Sequence, residues 1–433
     1  MTHSRVSSRH LPASLLMAVL LFCMTATSGA EDPHQGVASC ASSLCHGATA
    51  PLGTHPIQQD EYFIWQRQDP HSRAWQTLQK PLSRKIGQAL GLDATSAPAC
   101  LVCHADTAAV AGGGQQQRSD GIGCESCHGG SARWLAEHTR PGISLEEKVA
   151  LGMQPLWQRD AKAALCLSCH QGDAAHSISH AMMAAGHPRL VFELDTFSAL
   201  QPPHHRRDAD YAVRKGSYQP ARDWLTGQAT AAEIHLQALA SGRFAKGLLP
   251  EWTEFDCSAC HHRMDAARAQ PARLPGAEPG AVPFADAPQQ LLALWLSVAA
   301  PAEALAWQEG QKRLHASQAQ GLEAVRLAAQ QQLTVLRTRL RPLIDAEALT
   351  AAQLRSLLRA LASDASHRQA ALSNEQRAMA FTVIADALRL QGAALPGTAS
   401  RAIEAYYKSV RSVDQFDLKE HARALDAVAK SLP

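Results

Sequence analysis

The 433-residue chain sets 41 Lys and Arg against 39 Asp and Glu, and a formal charge of +2 excludes a nucleic-acid binder that works by bulk positive charge. At 46% hydrophobic and 18% charged residues it is not a disordered chain, and its length allows two or three domains. The outlying counts are 11 Cys and 21 His, an excess of soft and imidazole ligands that points to metal-centred chemistry.

Residues 1–30 read as an export signal: Arg5 and Arg9 precede an apolar stretch from Leu11 to Met24, and Ser28-Gly29-Ala30 supplies a small-residue cleavage site. The competing reading is an uncleaved anchor. Against it, the stretch falls short of the ~20 residues a spanning helix needs and contains Pro12. A lipid anchor at Cys23 would need a small residue where bulky Phe22 stands. Cleavage after Ala30 removes Cys23 and both arginines, leaving ten cysteines and 39 charges of each sign. No later apolar run is long enough for a span, so the expectation is a soluble periplasmic protein.

The ten cysteines form five close pairs, each followed by histidine: Cys40 and Cys45 with His46, Cys100 and Cys103 with His104, Cys124 and Cys127 with His128, Cys166 and Cys169 with His170, and Cys257 and Cys260 with His261. Four are C-x-x-C-H, and the first is C-x4-C-H. Composition alone predicts roughly 0.01 motifs of the shorter spacing, so four are not accidental. Two thiols one turn apart reach the two vinyl groups on one haem edge, and the next imidazole comes under the iron as proximal ligand. The small residues Ala41, Ser42 and Ser43 permit the longer loop of the first motif. Zinc is the main rival, because Cys100 to Cys127 approaches ribbon spacing, but zinc does not require a histidine after every pair. Redox disulfides would want a βαβ context that the sequence lacks. Five covalently attached haem c groups are therefore expected.

Between residues 40 and 262 this leaves roughly 45 residues per haem, too few for an ordinary core. The predicted fold is mainly α: a multihaem cytochrome c core of short helices and long loops over 31–264, with Gly112-Gly113-Gly114 in an exposed loop. Pro271, Pro275, Pro279, Pro283 and Pro288 mark a linker or surface strap over 265–288. A Cys-free region, 289–433, follows as a helical bundle or a layer on the haem core. Within it Met379, Val383, Ile384, Ala387 and Leu388 share one helical face, Thr350/Gln353 and Ser373/Gln376 look like capping boxes, and Pro396-Gly397 separates two helices. His315, His367 and His421 read as ordinary packing or surface residues.

Residues 40 to about 263 resemble the cytochrome c-554 family of periplasmic multihaem cytochromes, relatives of hydroxylamine oxidoreductase. The resemblance rests on Asp69-Pro70-His71-Ser72-Arg73-Ala74, on the run from Asp120 to Gly129, on Trp134 to His138, and on Cys166 through Ala185-Gly186-His187-Pro188-Arg189-Leu190. It departs from the family's tetrahaem name-giving member in its fifth motif, in the long spacing of the first, and in the helical region after 288. The resemblance implies His71 as distal ligand of the third haem and His138 as that of the first. His180 and His187, close after the fourth motif, are assigned to the fourth and fifth haems, with His204 next in line. His262 could reach a neighbouring haem, while His55, His176 and His235 read as ordinary residues. These assignments leave the second haem, at Cys100 and Cys103, without a sixth ligand, as the resemblance also allows.

The expected function is electron transfer between redox partner proteins, such as other cytochromes or a quinol-oxidising membrane complex. The rival is a small-molecule oxidoreductase acting on hydroxylamine or a nitrogen or sulfur oxyanion at a five-coordinate second haem. No C-x-x-C-K motif appears, and Tyr211 and Tyr218 around Arg214-Lys215 give only a solvated basic turn.

Overall fold

A computed structural model describes residues 32–53, 57–108, 116–245, 247, 250–261, 281–346, 348–364, 371–410 and 418–433. The export signal, the Gly112 to Gly114 loop, most of the 265–288 strap, and His55, His262 and His367 lie outside the described residues. The described chain is mainly α, as expected. Among the described residues no helix is long and apolar enough to cross a membrane.

Short helices carry the motifs. Pro98 sits in the first turn of Pro98–His104, where its missing N–H costs nothing, and the second motif occupies the rest of that helix. The third motif forms the single helix Cys124–His128. The fourth begins in Arg159–Leu167 and ends in a wider turn, Ser168–Gly172. The fifth lies on the turn Cys257–Ala259, beside an antiparallel pairing of Phe255 with Phe284. Hydrophobic clusters in this half are small: Leu78, Ala94, Cys100, Leu101 and Ala105 form one, and Ala163, Leu167, Leu194 and Ala231 another. That is what a chain expected to wrap haem, with little side-chain core of its own, should show.

The large core lies elsewhere. The 21-residue helix Pro220–Ala240 buries 15 of its residues, a pattern that requires neighbours on all sides. On one side it meets Arg159–Leu167 and Leu194–Leu200 of the motif region; on the other it meets Ala287–Ala299, Leu322–Val335 and Ala371–Leu390. Gly227 makes the first approach close, since a Cβ there would stand 2.7 Å from that of Leu194. Trp224, Leu225, Leu236 and Leu239 share one continuous cluster with Leu292, Leu296, Trp307, Leu333 and Phe381. The segment expected to divide two domains therefore does not divide two cores, because a helix from before it supplies the centre of the core after it.

Smaller expectations divide. Thr350 and Gln353 form a reciprocal capping box at Ala351–Ser363, and Met379, Val383, Ile384, Ala387 and Leu388 are all buried. Ser373 is not an N-cap, because its helix already runs from Ala371 to Leu390. His315 and His421 are buried packing residues, and His315 pairs with Asp286 at 2.9 Å.

Candidate haem centres

The folded chain turns sequence-distant segments toward the motifs. Glu125, inside the third motif, is buried and accepts main-chain N–H bonds from Gln35, Gly36 and Ser131 at 2.7–3.0 Å. This ties the strand of chain ahead of the first motif to the third. His34 pairs with Asp106 at 2.7 Å and ties it to the second. Gly121, at φ +67, passes so close to the His71 carbonyl that a Cβ would stand 2.5 Å from it, and the next residue, Ile122, donates to that carbonyl at 3.0 Å.

The motifs meet one another as well. The Cys40 and Cys124 side chains lie close enough to interact, as do those of Cys103 and Cys169. Cys127 is half-buried near Cys166 and Cys169, and desolvation foremost pushes its thiol up. None of the ten described cysteines is in a disulfide. Among the described residues no group of three or more His, Cys, Asp and Glu side chains is arranged to hold a metal ion by itself.

Each motif histidine faces one histidine from elsewhere. Ring centroids lie 6.3 Å apart for His46 and His138, 6.4 Å for His104 and His187, 6.3 Å for His128 and His204, 5.8 Å for His170 and His71, and 6.1 Å for His261 and His180. Two imidazoles bound to one iron through bonds of about 2 Å place their centroids roughly 6 Å apart. One such pair could be ordinary aromatic packing, but five in so narrow a range, each with one motif member, fit five irons.

Burial favours the neutral form a ligand needs in four of these rings. It lowers His104, His138 and His170, and it holds His128, beside His204, at about 4. His46 and His71 run the other way, each raised first by a hydrogen bond to a carboxylate, Glu61 and Asp69 respectively. Burial opposes ionisation of Asp69, yet bonds from His71 and Gln201 outweigh it and hold the carboxyl at about 2. Beside His170 and Cys257 opens a cavity of about 370 Å³, lined also by Ser179, Arg189, Glu254 and Glu375. Two of its walls thus come from the fourth and fifth motifs and a third from the helix Ala371–Leu390.

Three expected partnerships differ from this geometry. His71 faces His170 of the fourth motif, although Ile122 and the close approach of Gly121 hold its main chain beside the third. His204 takes the place beside His128, and its neighbour His205 stacks on Tyr211 at 5.2 Å. His187 faces His104, so the second motif, expected to stand open, has a histidine opposite it. His180, assigned to the fourth haem, faces His261 of the fifth motif, while His138 faces His46 of the first, the motif to which it was assigned. Asp69, Glu61 and Glu125 carry no assignment from the sequence, although Asp69 stands two residues before His71 and Glu125 lies inside the third motif. A carboxylate that close to a ligand histidine, at a helix start it can cap, is a signal that could have been read.

A mainly helical chain with little side-chain core around five Cys-Cys-His motifs, each opposed by a second histidine, has the make-up of a multihaem c-type cytochrome. Comparison with known proteins agrees. Residues 31–129 match the family model described as cytochrome c554 and c-prime. The chain is also similar to cytochrome c-554 of Nitrosomonas europaea, at 28% identity over 142 residues. That alignment takes in 30% of this chain and 54% of the relative, so the chain spans about half the length of the curated relative it matches. No solved structure gives a significant match. The N-terminal region of the chain is thus similar to the cytochrome c-554 family, a likeness that points to covalently bound haem c as the group its motifs would hold.

Proposed function

We propose that the chain is a periplasmic five-haem electron carrier, exported by residues 1–30, that passes single electrons between redox partner proteins. The observation that carries this reading is the opposition of all five motif histidines by a second histidine. Bis-histidine iron changes charge with little rearrangement and presents no vacant position to a substrate, which suits electron transfer and disfavours catalysis. The groups would be held through Cys40/Cys45, Cys100/Cys103, Cys124/Cys127, Cys166/Cys169 and Cys257/Cys260, with the facing histidines as axial ligands. Bound there, haem c supplies a one-electron ferric/ferrous couple. The chain's own residues then do the rest: Asp69 and Glu61 orient rings, Glu125 holds the first motif against the third, and the helix Pro220–Ala240 packs against the helix that leads into the fourth motif. Contacts between Cys40 and Cys124 and between Cys103 and Cys169 support short distances between neighbouring groups.

Two measurements test this. Intact mass under denaturing conditions should exceed the processed polypeptide by five haem masses; four would remove the first motif from the set. Cyanide, nitric oxide and hydroxylamine should leave the spectrum of the oxidised protein unchanged. Ligand binding at one haem in five, with turnover of hydroxylamine or nitrite, would favour the oxidoreductase reading instead.

A further inference from the structure

The facing histidines differ in what their outer ring nitrogen meets. His104 donates from Nδ1 to the main-chain carbonyl of Ala74 at 3.0 Å, His138 to that of Leu135 at 2.6 Å, and His187 to that of Pro188 at 2.7 Å. His46 and His71 meet carboxylates instead: His46 Nδ1 lies 3.0 Å from Glu61 Oε2, and His71 Nδ1 lies 2.8 Å from Asp69 Oδ1. We infer that Asp69, and more weakly Glu61, are positioning residues that set two of the five reduction potentials below the others. This rests on the axial pairs argued above.

The cause is donor strength. A carboxylate draws the Nδ1 proton toward itself and leaves more electron density on Nε2, which then binds ferric iron more strongly than ferrous iron. A carbonyl oxygen accepts the same proton without a full negative charge, so its pull is smaller. Asp69 is built for the stronger effect. It is 4% exposed, so water screens its charge little, and three donors fix it: the His71 main-chain N–H at 3.0 Å, His71 Nδ1, and Gln201 Nε2 on Oδ2 at 3.0 Å. Glu61 is held by His46 and by the Gln58 main-chain N–H at 3.1 Å, but its side chain is 16% exposed, and solvent dilutes its influence. Gln201 works against Asp69, since its donated bond takes up part of the carboxylate's charge.

The opposed roles of Asp69 and Gln201 give a test of sign. In a potentiometric titration followed by electron paramagnetic resonance, the first-motif centre stands out by its ring planes 19° apart and rhombic signal, and the fourth, whose planes at 85° resemble the 81° and 87° of the second and third, is identified as the strongly anisotropic signal lost in His71→Ala. Asp69→Asn should raise the midpoint of the fourth-motif centre, Gln201→Leu should lower it, and Glu61→Gln should raise that of the first-motif centre by less. Each variant should leave the other four midpoints in place. Variants that remain low-spin with five haems, yet show no shift or shifts of the same sign for Asp69→Asn and Gln201→Leu, overturn the inference. Loss of the low-spin state in Asp69→Asn overturns it too, by showing that the carboxylate only holds the ring in place. A parent protein whose fourth-motif centre is not low-spin would instead overturn the axial pairing beneath it.

Discussion

Replacing His187 with Ala is expected to convert one haem in five from low to high spin while all five remain attached. Attachment depends on the cysteines, and the second-motif pair Cys100 and Cys103 is untouched by the change. What the variant removes is the ring 6.4 Å from His104, and with it the barrier to exogenous ligands at that iron. Cyanide or nitric oxide, inert toward the parent, should then bind one equivalent per chain, seen optically as a change in one fifth of the haem absorbance. His204→Ala should do the same at the third motif. His71→Ala should act at the fourth motif and not at the third, a contrast that separates the observed pairing from the one the family resemblance implied. Unchanged spin state in His187→Ala would mean that the second motif is open in the parent, and the catalytic reading would regain its footing.

The second large effect concerns the helices without motifs. A chain cut after residue 264 keeps every Cys-Cys-His motif, yet it should not accumulate as a five-haem protein. The cut strips the partners from Trp224, Leu225, Leu236 and Leu239, all at most 2% exposed. At about 1.5–3 kcal/mol for each large apolar side chain returned to water, the loss is roughly 6–12 kcal/mol, comparable with the whole stability of a typical domain, about 5–15 kcal/mol. It also removes Asp286, Glu375 and Gln376 from the wall beside Cys257. Haem per polypeptide and yield from periplasmic extracts would measure the effect. A soluble fragment with five haems would show that the motif region folds alone and that residues 289–433 are an accessory layer.

Which parts of this were legible in the sequence follows from the range of the interactions involved. The motifs and their helices are local: thiols and imidazole are adjacent in the chain, and Pro98 or the Thr350/Gln353 pair marks a helix start within four residues. The pairing of histidines is not local. His71 and His170 are 99 positions apart, and nothing near either states which of the five irons they share; only the path set by Gly121, Ile122 and Glu125 decides it. His187 was visible as a ligand type in an apolar segment, but its partner His104 lies 83 positions earlier. The layered core escaped for a related reason. The helix Pro220–Ala240 reads as part of the motif region by position, although its buried faces belong equally to the Cys-free region after the proline-rich strap.

The claim on which the rest depends is that five histidine pairs hold five six-coordinate irons, and low-temperature electron paramagnetic resonance of the fully oxidised holoprotein tests it most directly. The geometry predicts only low-spin ferric signals. The interplanar angles of the ring pairs divide them: 19° at the first motif should give a rhombic spectrum, and 81°, 87° and 85° at the second, third and fourth should give strongly anisotropic ones, with the fifth, at 42°, between. A high-spin ferric signal integrating to one iron per chain would contradict the account and assign an open coordination position to this protein.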